Sequence, residues 1–289
     1  MNKIGSSETI RKTTFNFYNY TKICVSHKKK INIDFLHWFI GFVEGVQDPW
    51  RFALRDGSFI VSNNHLFFII NQKREKILHI IRTNLGFGKV STYKTYSRFI
   101  VADKTNIDRL ISIFNGNLVL DKTNIRFVSW LDARNLYSTE KIEYLNRNKL
   151  TCFKNNAWLS GFIDAEGCFN ATKIIDKTYS LGFRLRLRFI VHQKNENCIF
   201  YNMQNFLGSG VISNGKAVEN IFRFTSTSIS SHEKLIEYLK NYPLRTFKKV
   251  SFVRFCCLLN YIKNRKNLPW ENKVLKKVEN LIKNIDYKS

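Results

Sequence analysis

Two acids in matching surroundings are the residues best placed to do chemistry. Glu166 ends the run LSGFIDAE and is followed by Gly167, Cys168 and Phe169. The chain also reads FIGFVEG over residues 39–45, then VQDPWRFALR over 46–55, then Asp56-Gly57-Ser58-Phe59. Removing residues 46–55 leaves FIGFVEG-DGSF, which parallels GFIDA-EGCF, so this is one motif interrupted by a ten-residue insertion. Gly41 and Gly161 lack a Cβ and would let two helices meet backbone to backbone. An acid at the end of each helix then falls beside its partner. Two carboxylates at negative helix ends repel each other and attract a divalent cation, and hard oxygen donors suit Mg²⁺.

The elements that must position these acids are duplicated. FIINQK (68–73) is matched by FIVHQK (189–194), LGFGKV (85–90) by LGSGVI (207–212), and SRFIVAD by FRFTSTS. LISIFNGNLVLDK (110–122) is matched by LIEYLKNYPLRTFK (235–248), in the same order. Such register marks a tandem duplication. Each copy reads as a helix, a hairpin, a helix ending at Gly, a second strand pair and a further helix. The predicted class is therefore α+β, with two pseudo-symmetric αββαββα units. Residues 1–30 fit neither copy and read as a basic N-terminal arm. The first unit is predicted over 31–138, a linker over 139–155 and the second unit over 156–289. Pro49 cannot continue a helix, so the first motif helix is expected to end near Gly45.

The 289 residues carry 47 Lys and Arg against 22 Asp and Glu, a formal net charge of +25. That excess favours a polyanionic partner, above all nucleic acid. In RLRLR, Arg184, Arg186 and Arg188 share one face of a strand while Leu185 and Leu187 share the other, which suits a sheet laid on DNA phosphates and base edges. No apolar run approaches the roughly 20 residues that span a bilayer, and the N-terminus lacks a secretory h-region. The six cysteines form no zinc or disulfide spacing and are expected as buried reduced thiols. Heavy use of Phe, Tyr, Ile, Asn and Lys fits an AT-rich organellar genome, and a mitochondrial location is expected.

LSGFIDAEG, with its interrupted partner and the NQK and HQK blocks, resembles the signature of the LAGLIDADG homing endonucleases in their single-chain, two-motif form. The resemblance spans about residues 33–285. It implies saddle-shaped antiparallel sheets, two central packed helices and a monomer that cuts both strands of a long, pseudo-symmetric double-stranded DNA target. It implies Asp56 and Glu166 as catalytic metal ligands, with Mg²⁺ as the cofactor, and Asp164 as a structural residue. Glu44 and Asp48 are candidate surrogates for the displaced first acid. Gln72 and Gln193 align with a Gln that orients water, and Lys122 and Lys248 with a Lys near the scissile phosphate; Lys249 is the adjacent choice. An ordinary phosphate contact is the other reading for each of these. Lys73 and Lys194 join the arginines as candidate DNA contacts. With the insertion, the chain is expected to cut poorly, nick one strand or only bind. The alternative from the same family is a maturase that binds intron RNA, and a chain without present activity is the third reading.

Overall fold

A computed structural model describes residues 15–26, 31–46, 58–147, 152–179, 182–214, 220–264 and 271–285. The arm contributes α1 (Tyr18–Ile23). The first unit runs α2 (Ile33–Val46), β1 (Phe59–Ser62), β2 (His65–Gln72), α3 (Lys76–Leu85), β3 (Lys89–Thr92), β4 (Ser97–Val101), α4 (Lys104–Phe114) and α5 (Asp121–Leu136). The second runs α6 (Trp158–Glu166), β5 (Gly167–Ile175), β6 (Phe183–Lys194), α7 (Cys198–Leu207), β7 (Val211–Asn214), β8 (Ile221–Ser226), α8 (Ile229–Asn241) and α9 (Lys248–Lys263), followed by α10 (Asn272–Lys283). The sheets have equivalent orders, β1-β2-β4-β3 and β5-β6-β8-β7, antiparallel throughout. The architecture is thus α+β and duplicated.

Local sequence accounts for the joints. Asn63 and Asn64 both take positive φ, 48° and 62°, in the two-residue β1–β2 turn, a conformation that Asn tolerates and that matches strand twist. Gly86 and Gly208 end α3 and α7 in the left-handed conformation. Asp103 and Ser228 cap α4 and α8 through their side chains.

One face of each sheet is covered. Phe59 and Phe68 pack with Phe114, while Phe169 and Phe189 pack with Phe252, Phe255 and Phe224. The layers between the units are α2 and α6. A Cβ added to Gly41 would lie 2.0 Å from the Trp158 carbonyl oxygen, and one added to Gly161 would lie 1.9 Å from that of Trp38. Only Gly permits that approach.

Three expectations change. Each unit carries one helix more than the predicted αββαββα, namely α5 and α9, and α10 follows the second. The described part of the arm belongs to the first unit's core: Phe15, Phe17 and Tyr20 are buried, and Phe15 and Phe17 flank the His37 ring at 4.8 and 5.6 Å. The cysteines are not buried. Cys152, Cys198 and Cys257 are exposed, the other three are half-buried, and none forms a disulfide. Among the described residues, no helix is long and apolar enough to cross a membrane.

Candidate active site

The ends of α2 and α6 lie side by side beyond the Gly41–Gly161 crossing, with Gly45 against the Ala165 methyl. A reciprocal brace fixes them. The Trp38 indole N–H donates to Asp164 Oδ2 at 2.8 Å, and the Trp158 indole N–H donates to Glu44 Oε2 at 2.6 Å. Each acid also caps a backbone turn of its own unit. Glu44 Oε1 accepts from the amides of Val119 and Leu120 at 2.8 and 2.7 Å. Asp164 accepts from the amides of Arg245 and Thr246, at 2.7 and 3.2 Å, and from the Thr246 hydroxyl. Burial pushes the Glu44 carboxyl up to about 8 against the pull of these donors, and raises that of Asp164 in the same way. Glu44, a candidate metal surrogate by sequence, is fully buried and committed to this brace. Asp164 is the matching strut. Asp48, the other surrogate, and Asp56 with Gly57 lie outside the described residues.

Glu166 is the last residue of α6 and is 5% exposed. At the 120-residue spacing that relates Gly41 to Gly161, the matching place on α2 holds Val46, a half-buried apolar side chain. Gln193 is fully buried on β6, two residues past Val191, the strand partner of Gly167, so it flanks the last turn of α6. Neither its amide oxygen nor its nitrogen has a hydrogen-bond partner among the described residues. A buried carboxylate and an unsatisfied amide oxygen are each hard donors of the kind a small divalent cation takes along with its own waters. Among the described residues no three His, Cys, Asp or Glu side chains converge as a metal site.

Lys248 begins α9, and its ammonium donates to the carbonyls of Ile163 at 3.1 Å and Ala165 at 2.7 Å. A cation thus sits on the negative end of α6, next to Glu166. A groove of about 780 Å³ opens beside it, lined from the first unit by Gln72, Lys73 and Arg74 and from the second by Arg245, Lys248 and Lys249. The structure therefore brings Gln72, Lys73 and Lys248 together across the unit boundary. Lys122 lies in the first turn of α5 on the other side, where its backbone N–H donates to Glu196 Oε1 at 2.9 Å. The brace supports the Lys248 pairing. Lys122 lies two residues past Leu120, and Lys248 lies two residues past Thr246, the equivalent acid-capped amide.

Arg184, Arg186 and Arg188 alternate on β6, opposite the buried side chains of Phe183, Leu187 and Phe189. Arg184 pairs with Asp176 at 3.4 Å, and Arg188 donates to Asn170 Oδ1 at 3.0 and 2.7 Å. Lys194 ends the strand on the same face. Sequence reasoning missed Trp38, Trp158 and Glu196. A tryptophan three residues ahead of each motif glycine was the available signal for the first two.

A family model described as LAGLIDADG endonuclease matches residues 56–134 and 159–259. The first match begins at Asp56, on the far side of the inserted segment. The chain is 34% identical over 261 residues to probable intron-encoded endonuclease 4 of Neurospora crassa, covering 88% of this chain and 45% of that protein. It is 28% identical to the intron-encoded RNA maturase bI4 of Saccharomyces cerevisiae, over 85% of this chain and 37% of that one. The chain thus spans less than half the length of either relative. The fold superposes on the LAGLIDADG meganuclease I-AabMI bound to uncleaved DNA with a TM-score of 0.66, at 21% identity, over 88% of this chain and 99% of that one. Two motif helices crossing at paired glycines, two equivalent sheets and two matches to one family model lead to a single assignment: the chain belongs to the LAGLIDADG endonuclease family.

Proposed function

We propose that this chain is a site-specific DNA endonuclease of intron-homing type, acting as a monomer in the mitochondrion on a long, pseudo-symmetric duplex. The observation that carries this reading is the buried Glu166 at the end of α6, where Lys248 holds the carbonyls of Ile163 and Ala165 and borders a basic groove. Glu166 and Asp56 are the proposed metal ligands. A divalent cation, Mg²⁺ in our reading, would activate water and stabilise the leaving oxygen of the phosphodiester. Gln193 and Gln72 would orient water there, because an amide both donates and accepts. Lys122 and Lys248 offset negative charge near the scissile phosphate. Arg184, Arg186, Arg188, Lys73 and Lys194 contact the duplex.

The test is a supercoiled plasmid carrying the intronless host-gene junction. Nicking or cutting that requires Mg²⁺ and disappears in Glu166→Gln supports the reading. Tight, Mg²⁺-independent binding to intron RNA with no cleavage would replace it with a maturase, a second reading supported by the similarity to bI4.

A further inference from the structure

The two open sheet faces are built alike and furnished differently. Strand registers match them position by position. Phe59 pairs with Phe68 as Phe169 pairs with Phe189, and Arg98 sits opposite Asn71 as Arg223 sits opposite His192. Near the helix ends the faces carry similar groups, with Lys73 and Lys194 at the strand ends. Farther out they diverge. The first sheet has two apolar cross-strand pairs on its open face, Ile60 with Phe67 and Ile69 with Ile100, all half-buried. In the second sheet Asn170 and Arg188 take the places of Ile60 and Phe67, and Thr225 takes that of Ile100, while Ile190 keeps that of Ile69 and is buried. Arg186, opposite Thr172, is exposed. Asn170 holds the Arg188 guanidinium by two of its nitrogens, which fixes its plane.

Base edges in the major groove offer these two surfaces different partners. Guanine presents two acceptors that fit a guanidinium, and thymine presents a methyl group that fits an apolar side chain. Neither surface can read A-form RNA this way, because the RNA major groove is too deep and narrow. We propose that the two halves of the DNA target are read by different chemistry. The first sheet selects thymine methyls through Ile60, Phe67 and Ile100; the second selects guanine through Arg186 and Arg188. The inference rests on the duplex-DNA reading above and adds a base preference to each half.

Selection of duplexes from a randomised pool by the full chain tests both. One half of the recovered target is expected to be thymine-rich and the other to hold guanines. On that duplex, uracil in place of thymine removes only the methyl, and is expected to weaken binding several-fold in the first half and not in the second. Replacing guanine by 7-deazaguanine should do the reverse. Arg188→Ala should lose about tenfold or more in affinity and relax the preference at one position, in line with about 1–3 kcal/mol for a bidentate contact. These analogue measurements use the unaltered protein, so they stand even if a Phe67 variant folds poorly. Equal sensitivity of both halves to uracil overturns the proposal, as does a uniform loss across all sequences in Arg186→Ala and Arg188→Ala. A pool that yields no preferred duplex at all overturns the DNA reading beneath it.

Discussion

Glu44 sits where three donors converge and water does not reach, so its charge state depends on two opposed forces. Burial has the larger effect and holds the carboxyl at about 8, above the ordinary 4.5. The folded chain therefore keeps a proton that the unfolded chain releases between pH 4.5 and 8, and stability falls as pH rises through that window. Glu44→Gln cannot ionise and keeps a carbonyl for the Val119 and Leu120 amides. Its thermal midpoint is expected to decline less across the same window at fixed ionic strength. Asp164, raised by the same cause, retains its own share of the slope. This brace was half legible in the sequence. The spacing of the repeat aligned Glu44 with Asp164, but nothing in either motif said that each acid would be met by the other unit's indole, 114 and 126 residues away. The motif marked Glu166, and its interruption left Val46 in the equivalent slot; the structure adds that both residues end their helices.

At the scale of elements, the α2–α6 crossing sets the tolerances. The atoms facing a Gly161 Cβ are backbone: the Trp38 carbonyl at 1.9 Å and the Phe42 nitrogen at 2.8 Å. Backbone atoms cannot turn aside, so the helices must part. Gly161→Ala is expected to lower stability by about 3 kcal/mol or more in denaturant titration, at the upper end for overpacking. Cleavage should fall as well, because a shift of about 1 Å at the centre costs on the order of a hundredfold in rate. The crossing glycines and the hairpins were readable because turn chemistry and alternation are local. The helices α5 and α9 were not, although both bury one stripe at the same spacing: Thr123, Phe127, Trp130 and Leu131, and Ser251, Phe255, Leu258 and Leu259. Between those positions lie Ile125, Val128, Phe252 and Val253, apolar residues that blur the contrast between the two faces.

For the whole molecule, the duplication is complete in its frame and unequal at its centre. The second unit passes from α6 into β5 without a break at Gly167, whereas the first has residues 47–58 between α2 and β1. A carboxylate delivered by the last turn of a helix is held more tightly than one that follows ten added residues. The full chain is expected to release nicked plasmid faster than linear plasmid. A variant lacking residues 46–55 should shift the products toward linear. Equal ratios of nicked to linear product from the two proteins would show that the insertion leaves the first centre intact. Net charge, +25 over 289 residues, favours a polyanion and agrees with the proposed duplex. The division of apolar and guanidinium side chains between the sheets was hidden until register fixed which residues share a face.

The crossed indoles bear on how the molecule could be divided. If the chain were severed within residues 148–151, each fragment would retain a buried acid whose ring partner had left with the other piece. Neither half is furnished to stand alone. The fragments would be obligate mates, two copies of one unit that have each come to depend on the other.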